Sequence, residues 1–164
     1  MNFGDLLKAW IVHDSLHGNG KLLAETMGKV FEEKMEVKIS HIKDVNPVKV
    51  AVDAPTILIV GTAVRAFMLS RSPKSWVKQL RSELKKNPQD IAYGAVFVTH
   101  GLEKIRHEKK GTRFLNLLKS VPTIQKFHPE WLSGKVKAIE GPLEPGTVER
   151  FEEEARNILN AIMS

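Results

Sequence analysis

A Gly-rich segment near the N-terminus, HDSLHGNGK at residues 13–21, has the residue types best suited to chemistry. It joins an apolar run at residues 10–12 to a pattern of helical period. Small and hydroxyl residues at such a junction let successive backbone N–H groups converge on an anion, with the positive end of the helix dipole behind them. We therefore expect the backbone of residues 15–21 to bind a phosphate group. An ordinary Gly-rich turn is the alternative.

Other chemistries do not fit this segment. A Walker loop requires Ser or Thr after the lysine, and Lys21 is followed by Leu22; a dinucleotide-binding fingerprint requires a third glycine where Leu23 stands. His13 and His17 are four residues apart, but they fall on a strand end and a loop rather than on one helix face, so no zinc site is predicted. A Gly-x-Ser-x-Gly elbow for a serine nucleophile is also missing.

Two further segments follow apolar, strand-like runs, at residues 61–67 (GTAVRAF) and 99–102 (THGL). In open parallel sheets, ligands bind outside the carboxyl ends of the strands. We expect both segments to lie near the Gly-rich loop. The only tyrosine, Tyr93, falls at the start of a strand.

The sequence alternates five times between short β-rich runs and longer stretches with helical periodicity. This alternation is typical of α/β units with a parallel sheet, whose strands and helices would position these loops. The strands are predicted at residues 7–13, 35–42, 56–61, 92–99 and 135–140. A helix is predicted after Gly20, a second is capped by Ser72, a third lies around residues 114–121, and the last follows Gly146. Residues 44–55 are predicted as a connection. Residues 123–134 have no secure assignment, although 124–127 is a candidate strand piece.

Composition sets the broad class. A chain of 164 residues with 42% hydrophobic positions suits one domain, predicted over residues 1–164. There are no cysteines, no run of about 18 apolar residues and no leader-like N-terminus, so a cytoplasmic protein without a membrane span is predicted. The net charge of +6 favours an anionic ligand or an acidic partner. The basic stretch at residues 104–113 lacks interleaved aromatics, which disfavours nucleic acid as a partner.

Residues 14–20 resemble the FMN phosphate loop of flavodoxins, whose pattern is roughly Ser/Thr-x-Thr-Gly-x-Thr. Ser15, Gly18 and Asn19 match this pattern, whereas His17 and Gly20 replace hydroxyl residues. The stretch at residues 61–65 is similar to the Gly-small-small-apolar-Arg sequence of the flavodoxin-like protoporphyrinogen oxidases. These matches lie in loops that the resemblance places around a flavin, with Phe67 over one face of its ring. The resemblance makes His100 a candidate substitute for the tyrosine that many flavodoxins stack on the ring.

The resemblance implies a flavodoxin-like three-layer α/β sandwich with a five-stranded parallel sheet in the order 2-1-3-4-5, and FMN as cofactor. It implies no catalytic acid or base. The flavin contacts that it implies are Ser15, Leu16, His17, Gly18, Asn19, Gly20, Lys21, Thr62, Ala63, Val64, Arg65, Thr99, His100 and Gly101.

The function expected from the resemblance is electron transfer or flavin-dependent redox chemistry. The partner would be a redox protein or a small-molecule electron acceptor, and the sequence does not decide between a carrier and an oxidoreductase. It also leaves the oligomeric state open, a homodimer included. The contrasting hypothesis is a flavin-free protein of the same fold that binds another phosphorylated ligand or a protein partner.

Overall fold

The structure is a computed structural model that describes residues 7–65 and 67–164. Ala66, in the segment expected near the ring, and residues 1–6 of the predicted domain lie outside the described residues. The strands are β1 (Lys8–His13), β2 (Glu36–His41), β3 (Ile57–Arg65), β4 (Met68–Leu69), β5 (Ile91–His100), β6 (Ile124–Phe127) and β7 (Leu132–Lys135). The helices are α1 (Asn19–Phe31), α2 (Pro47–Asp53), α3 (Arg71–Lys86), α4 (Glu108–Lys119) and α5 (Thr147–Met163), with 3-10 turns at Ile42–Asp44 and Lys104–His107.

The parallel strands form one sheet in the order β2-β1-β3-β5-β6, which confirms the predicted 2-1-3-4-5 arrangement. The expected count of five strands is approximate, because β4 pairs antiparallel with the end of β3 and β7 extends the edge beside β5. Strands β6 and β7 pair with successive parts of β5 and together fill the fifth position. The order reverses at β1 and β3, where ligands bind in such sheets.

The predicted last strand at residues 135–140 is wrong. Strand β7 ends at Lys135, and Val136 forms an isolated antiparallel bridge with Leu143. Lys137 N donates to Pro142 O at 2.9 Å, so the backbone folds back on itself instead of continuing beside β5. The stretch that had no secure assignment, residues 123–134, supplies the fifth strand position in its place.

Two helix predictions also need correction. Residues 44–55 contain helix α2, because Asn46 caps it through a 2.8 Å bond from Val48 N and Pro47 occupies its first turn. Helix α3 begins at Arg71 with Ser70 at its N-cap, so Ser72 lies inside the helix. A short helix needs only two or three buried residues, here Pro47, Val50 and Ala51.

The sheet is buried on both faces, which gives the predicted three layers. Side chains alternate along the central strands, so Ile11 and Ile59 pack under α1 and α5, whereas Val12 and Val60 pack under α2, α3 and α4. Both sets are fully buried. The rigid core therefore holds the carboxyl ends of β1, β3 and β5 side by side. Within the described ranges, no helix has the length and apolar character needed to cross a membrane.

Candidate functional site

A cavity of about 530 Å³ lies at the carboxyl ends of β1, β3 and β5, and all three loops singled out from the sequence line it. The predicted site residues on its wall are Ser15, Leu16, His17, Asn19, Gly20, Thr62, Ala63, Val64, Arg65, Thr99, His100 and Gly101. The other two, Gly18 and Lys21, line an adjoining cleft with His41 and Lys43. The structure therefore brings the three segments together around one space.

The loop between β1 and α1 has the geometry of an anion-binding turn. Gly18 adopts a left-handed conformation at the N-cap, with φ of 90°, and its N–H donates to Ser15 Oγ at 3.0 Å. The first hydrogen bond of the helix runs from Leu22 N to Gly18 O at 2.9 Å. The N–H groups at residues 19–21 are therefore the donors that a helix start leaves free of intrahelical bonds. The hydroxyl proton of Ser15 is also free to point at an anion, because its oxygen already accepts a bond.

The side chain of His13 stabilises the backbone of this loop. It is buried, and its Nδ1 accepts a 3.1 Å hydrogen bond from Ser15 N. Burial, and next the neighbouring His41, lower the pKa of His13, so the ring is neutral at neutral pH. The histidine is thus a structural acceptor that fixes the backbone of the loop.

Asn19 joins the loop to the far wall. Its side-chain Nδ2 donates to Glu140 O at 3.3 Å. This bond holds the segment of residues 136–140 against the cavity, which Val136, Lys137, Ala138 and Ile139 help to line. Asn19 therefore offers a ligand its backbone N–H, while its side chain organises the wall.

Arg65 connects the loop after β1 with the end of β3. Its Nη1 donates to Asp14 Oδ2 at 2.9 Å, and its Nη2 donates to Asp14 O at 2.7 Å. The side chain of Asp14 is 7% exposed, so the carboxylate is almost fully buried beside the anion-binding turn. The guanidinium neutralises that negative charge.

The residues predicted as the second loop belong mainly to a strand. The predicted end of β3 at Gly61 is wrong, because β5 continues alongside it, with Ala63 opposite Thr99. Arg65 then pairs antiparallel with Met68 of β4. Thr62 is 1% exposed, and its Oγ1 has no hydrogen-bond partner among the described residues. A buried hydroxyl without a partner on a cavity wall is suited to bonding a ligand.

Phe67 comes directly before strand β4. It has a positive φ of 63°, unusual for a residue other than glycine, and its side chain is 70% exposed at the mouth of the cavity. Deeper in the wall, the ring of Phe97 lies against Gly61, where even a Cβ atom would overlap it. Phe97 lines the cavity, and the lack of a side chain at Gly61 leaves the space that its ring occupies.

His100 is buried at the end of β5, with 1% exposure. Its Nδ1 donates to Leu102 O at 2.7 Å and its Nε2 accepts from Ser133 Oγ at 2.6 Å, a pattern that suits the neutral ring. Burial lowers the pKa of His100 to about 4. Because both nitrogens are engaged and the ring is covered, its side chain is not free to stack on a ligand as the sequence suggested.

His107 was not selected from the sequence, yet it lines the cavity beside His100, with ring centroids 4.9 Å apart. It is 2% exposed, and neither ring nitrogen has a partner in the part of the chain that the structure describes. Burial, and next Lys110, lower the pKa of His107. The sequence contains no signal for His107, because it lies within the basic stretch of residues 104–113 and is turned inward at the end of a 3-10 turn.

No protein-family model matches this sequence, and no curated protein matches it either. Solved structures do match. Flavodoxin 1 from Bacillus cereus is 14% identical, with a TM-score of 0.71 over 93% of this chain and 97% of its own. A flavodoxin from the domain Archaea is 17% identical, with a TM-score of 0.66 over 96% and 100%.

Rubredoxin oxygen:oxidoreductase from Desulfovibrio gigas is also similar, at 16% identity and a TM-score of 0.71 over 95% of this chain. The chain spans 36% of that larger protein, so the likeness concerns one part of it. At these identities the comparisons bear on architecture rather than activity. Together with the parallel strand order and the helices on both faces, they show that this chain has the flavodoxin-like fold.

Proposed function

We propose that this protein binds FMN in the cavity and works in flavin-dependent redox chemistry. The observation that carries the proposal is the convergence of three loops on one cavity that combines an anion-binding helix start with a deep, mainly apolar wall. Such a combination suits a flat aromatic ring that carries a phosphate at one end. The neighbours of the same fold are flavodoxins and a rubredoxin oxygen:oxidoreductase.

The phosphate end fits. The N–H groups of residues 19–21 and the Ser15 hydroxyl supply donors, and the helix dipole of α1 adds positive potential. Lys21 adds a nearby positive charge from the adjoining cleft. Asp14 would repel a phosphate, but Arg65 pairs with its carboxylate and reduces that repulsion.

The ring end also fits. Thr62 contributes a buried hydroxyl without a partner among the described residues, which a polar edge of the ring would satisfy. Residues 62–65 and 99–101 line the space between the ends of β3 and β5 and would hold the ring there. Phe67, at the mouth, would cover one of its faces. A bound flavin accepts and releases one or two electrons, and the surrounding residues tune how readily it does so.

The basic surface supports an acidic or anionic electron partner. The net charge of +6 raises encounter rates with such partners, and the effect is expected to weaken with added salt. A small-molecule acceptor and a redox protein both satisfy this condition. Reoxidation of the reduced protein by a candidate small molecule, compared with reoxidation by a protein acceptor, separates an oxidoreductase from a carrier.

The test is an absorbance spectrum of the purified protein, followed by a fluorescence titration with FMN. We expect saturable quenching with a dissociation constant in the micromolar range or below. Ser15→Ala should weaken binding about tenfold, because it removes a hydrogen bond to a charged group. Ser72→Ala is the matched control, since Ser72 is an exposed residue of α3 that does not line the cavity.

A colourless protein that shows no quenching at high FMN contradicts the proposal. Titration with other phosphorylated compounds would then test the flavin-free alternative, because the anion-binding turn does not depend on the ring. Equal weakening by Ser15→Ala and Ser72→Ala would show that binding does not occur at this loop.

A further inference from the structure

His107 is a buried imidazole that the proposed function leaves without a role. It lines the cavity at 2% exposure, and neither ring nitrogen finds a partner in residues 7–65 and 67–164. Buried polar groups are nearly always hydrogen-bonded, so an unpaired one on a cavity wall calls for a ligand that completes it. A neutral imidazole can offer one donor and one acceptor, and its protonated form offers two donors.

Of the two neighbouring histidines in this wall, His107 is the one whose ring nitrogens, without partners among the described residues, are free to form a new hydrogen bond or to bind a proton. On β5, the His100 ring is held at both nitrogens, by Leu102 O and by Ser133 Oγ. Trp131, just before β7, packs against His100, and its Nε1 donates to the Glu108 carboxylate at 3.1 Å. Glu108 follows His107 in the sequence, and its carboxylate is therefore already engaged by this bond.

Cations act on both histidines, although one of them, Lys135, is itself paired with Glu103 and Glu144. Lys110 on α4 acts directly on His107, whereas Lys135 on β7 and Arg150 on α5 act on His100. Burial and these cations disfavour a further positive charge, so His107 is neutral while the cavity carries no added negative charge. Negative charge arriving in the cavity would reverse that balance, because a nearby opposite charge favours the protonated ring.

We propose that His107 takes up a proton when a flavin bound in this cavity is reduced. The inference rests on the proposed function. If a two-electron donor reduced the flavin, the flavin would take up two electrons and one proton and so gain one net negative charge. A second proton from solvent would then bind a free ring nitrogen of His107, which lines the same cavity. Reoxidation would return both electrons to an acceptor and both protons to solvent. The site therefore couples two-electron transfer to proton uptake.

The experiment measures the midpoint potential of the FMN-loaded protein across about pH 5 to 8, the range over which histidines titrate. Wild type should show a slope steeper by about 30 mV per pH unit than His107→Gln, the equivalent of one extra proton in a two-electron couple. His107→Gln keeps hydrogen-bonding groups and cannot titrate. His128→Gln is the matched control, because His128 pairs with Glu154 away from the cavity, and it should keep the wild-type slope.

Parallel slopes in wild type and His107→Gln, with FMN bound to both, overturn this inference and leave the proposed function intact. Failure of wild type to bind FMN overturns both. If His107→Gln does not fold, histidine-ring NMR of the wild type decides the matter. A rise in the pKa of His107 on reduction supports the proposal, and an unchanged pKa contradicts it.

Discussion

Arg65 forms two hydrogen bonds to Asp14, one to the carboxylate at 2.9 Å and one to the backbone carbonyl at 2.7 Å. These hydrogen bonds link the end of β3 to the loop after β1, although the two residues are 51 positions apart in the sequence. It also buries a carboxylate at the place where a phosphate is proposed to bind. The position of the loop and the phosphate affinity that we propose for it therefore depend on the same guanidinium.

Replacing Arg65 should affect both stability and binding. Arg65→Ala leaves the Asp14 carboxylate buried and unpaired, and we expect a loss of about 2 kcal/mol in the free energy of unfolding. FMN should bind about tenfold more weakly because the unpaired charge repels its phosphate. Chemical denaturation and fluorescence titration measure the two effects.

A double-mutant cycle controls this prediction. Asp14→Asn removes the negative charge, so in the Arg65→Ala background it should restore most of the lost FMN affinity. Arg81→Ala is a matched arginine control, since Arg81 donates to Ser120 outside the cavity and its loss should change stability by less than about 1 kcal/mol. Additive effects of the two changes at positions 14 and 65 would contradict the role given to the pair.

The close contact between Gly61 and the Phe97 ring predicts that a larger residue at position 61 destabilises the protein. Gly61→Ala places a Cβ atom inside the volume of the Phe97 ring, and we expect destabilisation by about 2 kcal/mol from overpacking. Phe97→Leu should relieve part of that cost in the double variant. At Gly101 an added Cβ meets no atom within 4 Å, so Gly101→Ala should change stability by no more than about 0.5 kcal/mol. Equal effects at the two glycines would count against this packing.

The lowered pKa of Asp53 predicts that the free energy of unfolding falls below about pH 4. Burial raises the pKa of Asp53, but hydrogen bonds from Trp10, Lys8 and Lys38 outweigh it and lower the pKa from 3.8 to about 2. The stabilisation, about 2 kcal/mol, is present above pH 3.8 and is lost as the pH falls towards 2. Denaturation curves should show Asp53→Asn losing this pH dependence. Asp90→Asn, at an exposed carboxylate, should retain it.

The lowered pKa of His100 predicts a second pH range in which the free energy of unfolding changes. Burial lowers the pKa of His100 from 6.5 to about 4, so the neutral ring stabilises the fold above pH 6.5. On the order of 3 kcal/mol is lost as the pH falls from 6.5 to about 4, because the unfolded chain binds a proton that the folded ring resists. His100→Gln should flatten the stability profile in that range. A wild-type profile that is already flat there would contradict the burial of this ring.

The apolar runs of the sequence predicted the strands that become β1, β3 and β5, whereas the strand order followed from the resemblance of the loops to those of flavodoxins. The sequence predicted the three loops because each follows such a run. The ends of elements were less predictable. Strand β3 continues past Gly61 since β5 offers it further backbone partners, and that pairing leaves no local mark in residues 62–65.

The missed parts of the site depend on contacts that are distant in sequence. His107 lies in a basic stretch, and only the fold shows that it turns inward towards His100. The strand predicted at residues 135–140 does not continue past Lys135, because the chain folds back there and residues 136–139 line the cavity. Site residues that follow strong strands were therefore predictable, whereas those on the opposite wall were not.

The most direct test of the central claim compares the affinities of FMN and riboflavin, which differ only in the phosphate. We expect FMN to bind at least about tenfold more tightly, and Ser15→Ala to reduce that difference, because the anion-binding turn acts only on the phosphate. Equal affinities for the two compounds, or no binding of either, would contradict the account of this cavity as an FMN site.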